Sequence, residues 1–460
     1  MNNVINVIAL KGKGRKESKL HMKSINRRTF IKDTGIAVAG GPFIQSLSSY
    51  RRILGANDRV RVGVVGLNSR GAVLTNILLD SNGFEIAGLC DVDSRTIEKQ
   101  LEAVRIKQSS TPKNFRDFRE MIADEAIDAV VIATADHTHA PFAIYALRAG
   151  KHVYLEKPTC YCPAEGEALI RTEEQTTGKL QIGNQQRSSA ITQEAIAMIH
   201  AGTIGNAYEA RTWYTNQRGT IGNGVETSPP DWLDWNLWQG PAPRRPFRSN
   251  IVHYNWHWFR HWGTGEICNN AIHEIDIALW ALQVQYPVSV SSHGGRFYYT
   301  DDDWEFYDTQ FVTYGFVNDL RIIWDGRSCT NLQPFNRGRG TIVYGTNGTL
   351  LIDRNGYTQY ALSGEFVKEQ KEITQADGTN ITGEDLLTVS HIENWHKAIT
   401  ESETLHAPVT EANVSNLLCH IGNMAQDLGH EMIVDSNTGR VKDADAMKKW
   451  AREYEPGWEI

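Results

Sequence analysis

Residues 268–276 read CNNAIHEID, and three side chains there can do chemistry: His273, Asp276 three residues on, and Asn269 four residues before. On a helix, groups at i and i+3 share a face and can meet, so His273 and Asp276 could form an acid/base pair. The same stretch could also be a metal site or an ordinary buried helix. HEID lacks the second histidine of H-E-x-x-H, which excludes a zincin centre. His257 and His261, four apart in HWFRH, bring no third ligand, and no metal site is expected. A further reactive group stands in Glu156-Lys157-Pro158. A partly desolvated lysine at the end of a strand has a lowered pKa and can hydrogen-bond a reacting hydroxyl.

Chemistry of that kind needs a partner, and Gly66-Leu67-Asn68-Ser69-Arg70-Gly71 supplies one. It is a G-x-G-x-x-G turn with Asn68 in place of the middle glycine. The turn must let backbone approach a pyrophosphate at a helix N-terminus. Asparagine tolerates left-handed backbone angles better than most residues, so the turn is weakened without being lost. Asp91 follows twenty residues after Gly71. At the end of the next strand it can hold the adenosine ribose hydroxyls and repel a 2′-phosphate, favouring NAD over NADP.

The surrounding elements must place these groups together. Short β-branched runs at 59–66, 84–91, 128–134, 151–157 and 180–185 alternate with amphipathic stretches near 70–80, 94–106, 139–149 and 163–177. That alternation predicts an α/β, doubly wound parallel sheet of Rossmann type over 58–185. From about residue 205 longer strand-like runs such as AYEARTWYTN, FYDTQFVTYGF and DLRIIWDG take over. They predict an α+β domain over 186–460 with an open, mostly antiparallel sheet. Its closing helices, HIENWHKAITESE and NVSNLLCHIGNMAQDLG, are free to pack back on the first domain.

A chain of 460 residues is long enough for two such domains. A net charge of −7 and an isoelectric point near 6.1 give no reason to expect nucleic acid. Many of the 13 tryptophans and 16 tyrosines fall between residues 213 and 262. They could form a sugar platform, with Trp256 and Trp258 as candidates, or fill a core or subunit interface. Six cysteines without a paired CxxC read as reduced, mostly buried thiols. In residues 1–57, NRRTFIKDTGIAVAGGPF (26–43) has twin arginines, Arg27 and Arg28, before an apolar run too short to span a bilayer. That is the pattern of a twin-arginine export signal, so a periplasmic or exported protein is expected, with a cytoplasmic one as the alternative.

Taken together, VGVVGLNSRG, CDVD (90–93), ATADHTHAPFAIYALRAGKHVYLEKP (133–158) and GTGEICNNAIHEIDIALW (263–280) resemble the Gfo/Idh/MocA oxidoreductases. LDWNLWQGPAPRRPF (233–247) is similar to a segment of the family's exported members. The resemblance covers roughly residues 58–430. It implies that Lys157 and His273 flank the substrate at a nicotinamide. It also implies cofactor contacts from Gly66, Asn68, Ser69, Arg70, Gly71, Asp91, Thr134, His137, His139, Glu156, Lys157 and Gln186. Many relatives carry aspartate where this chain has Asn269, which cannot supply a negative charge, while Asp276 remains available. A homodimer or homotetramer packed through the C-terminal sheet is implied as well.

Three functions follow as expectations. The first is NAD-dependent hydride transfer at a carbohydrate C–H, with His273 taking the hydroxyl proton and Lys157 orienting the hydroxyl. The second is a redox-neutral glycosidase that oxidises, eliminates, hydrates and re-reduces. The third is a non-catalytic sugar- or nucleotide-sensing module, in which Lys157 and His273 could be replaced without effect.

Overall fold

The computed structural model describes residues 59–372 and 386–460, so the twin-arginine stretch lies outside the described residues. Six parallel strands open the described chain: β1 (Val60–Val65), β2 (Phe84–Cys90), β3 (Lys113–Phe115), β4 (Ala129–Ile132), β5 (His152–Leu155) and β6 (Leu180–Ile182). Their order is β3-β2-β1-β4-β5-β6. The winding reverses between β2 and β4, either side of β1, and a ligand crevice forms outside the strand ends at such a point. Helices α1 (Arg70–Asp80), α2 (Ser94–Lys107), α3 (Phe118–Ala123), α4 (Asp136–Arg148) and α5 (Pro163–Gln175) make the crossovers. Every residue of β4, AVVI, is buried, as a strand covered on both faces requires. The sequence pattern does not reveal β3 or α3, because three and six residues are too few to show a period.

After α6 (Ala190–His200), β7 (Ala207–Gln217) begins a second sheet. Between them and the next strands lie the short α7 (Trp235–Gln239) and α8 (Ile272–Leu282), the latter entered through one π-helical turn, Ile267–Ala271. The sheet continues through β8 (Ser289–Gly295), β9 (Thr309–Gly315), β10 (Arg321–Arg327), β11 (Cys329–Thr330), β12 (Arg339–Gly345), β13 (Gly348–Asp353), β14 (Gly356–Tyr360) and β15 (Phe366–Lys371). Helices α9 (Leu386–Thr400) and α10 (Val409–Leu428), strand β16 (Met432–Ile433) and α11 (Ala444–Lys448) close the chain. The strand order is β15-β14-β13-β12-β7-β10-β9-β8-β16, with β11 on β7. All of these pairs are antiparallel except β7–β10.

One face of this sheet is covered by α6, α8 and α10 around Ile272, Ile275, Val312, Tyr314, Ile322 and Leu418. The end of the chain returns to the first domain. From α9, Ile392 and Trp395 enter the core of Val60, Leu74 and Phe84, and Trp458 packs with Phe118 and Phe142. The aromatic block at 232–262 is itself a core, built of Leu233, Trp235, Phe247, Trp256, Phe259 and Trp262. All six cysteines are free thiols, five of them buried. Among the described residues no helix is long and apolar enough to cross a membrane.

Candidate active site

A cavity of about 310 Å³ lies at the C-terminal ends of β1, β2, β4 and β5, with the π-helical turn and α8 as its far wall. Its volume is that of a small-molecule site. At one side is the glycine turn. Gly66 has φ +79°, and a Cβ there would sit 2.5 Å from the Ala133 carbonyl oxygen, so a side chain is excluded. Gly71 does not reach the cavity. A Cβ on it would lie 1.7 Å from the Gly66 oxygen, so its task is to let α1 press against the turn. The strained residue is Ser69, at φ 41°, and not Asn68 as the sequence suggested. The Asn68 carbonyl instead accepts from Gly71 N at 2.9 Å and closes the turn. No side chain caps α1, so its N-terminal end faces the turn without a competing side-chain acceptor.

Asp91 lines the same cavity and supports the turn as well. Its Oδ2 accepts from Leu67 N at 2.7 Å and its Oδ1 from Asp93 N at 2.9 Å, while burial pushes its carboxyl above the usual range. Arg70 Nε donates to Glu156 Oε1 at 2.7 Å and joins the turn to the end of β5. Thr134 shares a 2.6 Å hydroxyl contact with Thr138, and His139 bridges the carbonyls of Thr134 and Pro158. Both line the cavity.

Besides Gly71, two of the expected cofactor residues are placed elsewhere. His137 points its Nε2 at the Trp238 carbonyl, 3.1 Å away, and lies off the cavity. Its neighbours Thr138 and His139 face inward, because a helix turns successive side chains by about 100°. Gln186 donates to the Asp353 carbonyl at 3.1 Å, and Gln185 lines the cavity in its stead. The buried Gln185 Oε1 has no hydrogen-bond partner among the described residues.

At the other side stand the groups singled out for chemistry. Lys157 Nζ donates to the Asn269 carbonyl at 2.7 Å and to its Oδ1 at 3.0 Å, and burial lowers the ammonium to about 8. The wide π-helical turn brings Asn269, Asn270 and His273 to one wall. His273 is held well below its ordinary pKa by burial and then by the positive charges of Arg354, Arg339, Lys157 and Arg70. It is therefore a neutral imidazole at pH 7.

The expected pairing of His273 with Asp276 does not form. Both carboxylate oxygens of Asp276 are taken, by Arg187 Nε at 2.6 Å and Nη2 at 3.0 Å and by Ser415 Oγ at 2.8 Å. That carboxylate braces α8 against α10 and lies off the cavity. A buried arginine with strong donors outcompetes a neutral imidazole for it. Trp258 is likewise off the cavity, stacked on Trp304 at 4.2 Å, whereas Trp256 lines it.

Sequence reasoning missed Tyr254, His257, Arg218, Arg339 and Arg354, all on the cavity wall. His257 was visible only as half of a rejected metal pair. Its Nδ1–H donates to the Tyr254 carbonyl at 2.6 Å and its ring stacks on Trp256 at 3.6 Å. Burial lowers it to about 3, so Nε2 is an unprotonated acceptor. Arg218, clamped by Glu266 at 2.6 Å, donates to the Tyr254 hydroxyl at 2.9 Å. Arg339 is paired with Glu274 at 2.6 and 2.8 Å in full burial.

The residues present fit a dinucleotide. The uncapped α1 terminus and bare Gly66 suit a pyrophosphate, Asp91 suits a ribose, and Gln185, whose buried Oε1 has no partner among the described residues, lines the cavity. Fold and site together define a two-domain chain whose first domain is an NAD-binding Rossmann unit. Residues 60–184 match the Gfo/Idh/MocA family model, described as "Oxidoreductase family, NAD-binding Rossmann fold". It is similar to a glycosyl hydrolase family 109 protein of Shewanella pealeana, 23% identical over 42% of this chain and 46% of that protein. It is also similar to an alpha-N-acetylgalactosaminidase of Shewanella oneidensis, 24% identical over 43% and 47%. The chain thus spans about half the length of the curated relatives it matches. The WlbA dehydrogenase of Bordetella pertussis, solved with NADH and UDP-GlcNAcA, shares the fold at TM-score 0.62. It is 17% identical, over 82% of this chain and 99% of that one.

Proposed function

We propose that this protein moves a hydride between NAD and a hydroxyl-bearing carbon of a carbohydrate, with Lys157 and His273 as the groups that handle the hydroxyl. The observation that carries the reading is their position on one cavity with the nucleotide turn. When bound, the nicotinamide supplies the hydride acceptor or donor. Gly66, Ser69, the α1 terminus and Asp91 would hold the dinucleotide. Lys157, protonated at pH 7 yet easily deprotonated at about 8, donates a hydrogen bond to the substrate oxygen and stabilises charge developing there. His273, neutral in its field of cations, accepts the hydroxyl proton and returns it readily.

The redox-neutral glycosidase reading is favoured by a separate observation, the second neutral imidazole on the cavity. A cycle that forms a transient ketone must also remove the proton from the adjacent carbon and protonate a departing oxygen. His257 Nε2 and the Arg218-held Tyr254 hydroxyl supply an acceptor and a donor beyond the first pair. The named relatives support the same reading. Export by the twin-arginine route extends it, because a protein outside the cytoplasm needs a cofactor regenerated in place. Assembly through the C-terminal sheet belongs to the same proposal. Phe311, 39% exposed, lies on the sheet face opposite α10, the same face that carries the apolar cluster of Trp213, Ile342 and Leu351.

One experiment tests the reading. The purified protein is denatured and released nucleotide identified by mass spectrometry, while aryl-glycoside cleavage and NADH absorbance are followed in parallel. Turnover without net NADH marks the redox-neutral cycle, and NADH accumulation on free sugars marks the dehydrogenase. Activity undiminished in K157A and H273A would overturn both.

A further inference from the structure

The strand order places Lys157 at the β5 end of the crevice, with His273 on the facing wall, and Asp91 at the β2 end. Beyond Asp91 come residues 116–118, which follow β3. There the cavity wall turns aromatic, with Phe118, Phe142, Trp238 and Trp458. Phe118 and Phe142 are stacked at 4.3 Å with planes 6° apart, and Trp458 continues the stack on Phe142 at 5.9 Å and 21°. Such a wall suits a flat, apolar heterocycle.

Trp458 reaches this place from 300 residues away in sequence, on a segment fastened at several points. Tyr145 Oη donates to the Glu459 carbonyl at 3.0 Å, and the Arg119 guanidinium lies 4.3 Å from the Trp458 ring centre. Glu455 N donates to the Pro241 carbonyl and Trp458 N to the Glu455 carbonyl, each at 3.0 Å. The segment therefore ties α3 and α4 of the nucleotide domain to the loop that follows α7.

We propose that Trp458 walls the adenine subsite, and that residues 455–460 act as a clasp governing how tightly the dinucleotide is retained. The inference rests on the NAD reading of the crevice and adds an adenine-end determinant from outside the Rossmann unit. The clasp holds the adenine half, far from Lys157 and His273, so its effect is on binding of any ligand carrying adenosine.

The test uses the full chain, stripped of nucleotide, with calorimetric titration of NAD and, separately, of ADP-ribose. W458A is expected to weaken both ligands by the same factor, at least tenfold, and to purify with correspondingly less nucleotide than wild type. W458F is expected to stay within about threefold of wild type. Thermal unfolding of the stripped proteins controls for folding. If the alanine variant does not fold, W458L, which keeps apolar bulk without the ring, is judged by the same thresholds. W458A binding within twofold of wild type overturns the clasp, and so does a loss confined to NAD and absent for ADP-ribose. Wild-type protein that binds neither ligand would instead overturn the NAD reading itself.

Discussion

Lys157 Nζ donates to both oxygens of Asn269, the backbone carbonyl at 2.7 Å and the side chain at 3.0 Å. The ammonium is thus oriented by a residue that lends it no charge. Burial then dominates, and the group sits at about 8. Placing a carboxylate there, N269D, should favour the ammonium and raise its pKa by about one unit or more. An activity limb near pH 8 should move to higher pH in N269D. A profile of kcat/KM against pH checks this, and a limb that stays in place would detach Lys157 from it.

Replacing Lys157 removes the donor without touching the nucleotide turn. K157M should lower kcat by roughly 10²–10⁴-fold, the usual contribution of a positioned acid or base. NAD binding by calorimetry should change far less. Equal losses in both would make Lys157 a cofactor anchor.

Asp91 has two tasks, holding Leu67 N and, by our reading, a ribose. D91S should weaken NAD by about 10–100-fold, the cost of losing a charge-assisted hydrogen bond. It should also narrow the preference for NAD over NADP, because the repelling charge is gone. Parallel titrations of the two nucleotides decide the matter, and an unchanged ratio would count against the ribose assignment.

Glu274 and Arg339 form a salt bridge in which the side chains are 4% and 2% exposed. Removing one partner strands a buried charge, so E274L should destabilise the fold by about 3–5 kcal/mol. Urea unfolding midpoints read this directly. A loss below about 1 kcal/mol would mean that the cavity wall hydrates when the pair is broken.

His391 and His420 are buried away from the cavity, and burial lowers each to about 4. An unfolded histidine titrates near 6.5, so on acidification the unfolded chain takes up protons first. Their contribution to stability is whole above about pH 6.5 and declines as pH falls toward 4. Unfolding midpoints should therefore drop between pH 7.5 and 5, and H420Q should flatten the decline. A midpoint that holds steady over that range would show these rings to be hydrated in the fold.

Much of this was legible in the chain. The alternation from β1 to β6, the glycine turn, Asp91 and Lys157 are local patterns, and local patterns survive in sequence. What was hidden depends on competition or on distance. Asp276 sits at the right spacing for His273, yet Arg187 from the segment after β6 and Ser415 from α10 claim it. Gln185 and Gln186 are adjacent and alike, and only the backbone decides which faces the cavity. The tryptophans of 232–262 look equally fit for a sugar or a core, and packing made most of them core. Arg339 and Arg354, at the open end of the β12–β13 hairpin, carry no motif that ties them to His273.

Trp395 and Trp458 complete the interior of the nucleotide domain from the last sixth of the sequence. During synthesis the first 185 residues leave the ribosome with two indole-sized gaps, each worth about 3–5 kcal/mol when an aromatic is missing from a core. The Rossmann unit thus precedes in synthesis both of the indoles that complete its core. Any graft of this domain into another protein would have to carry α9 and the 455–460 segment with it.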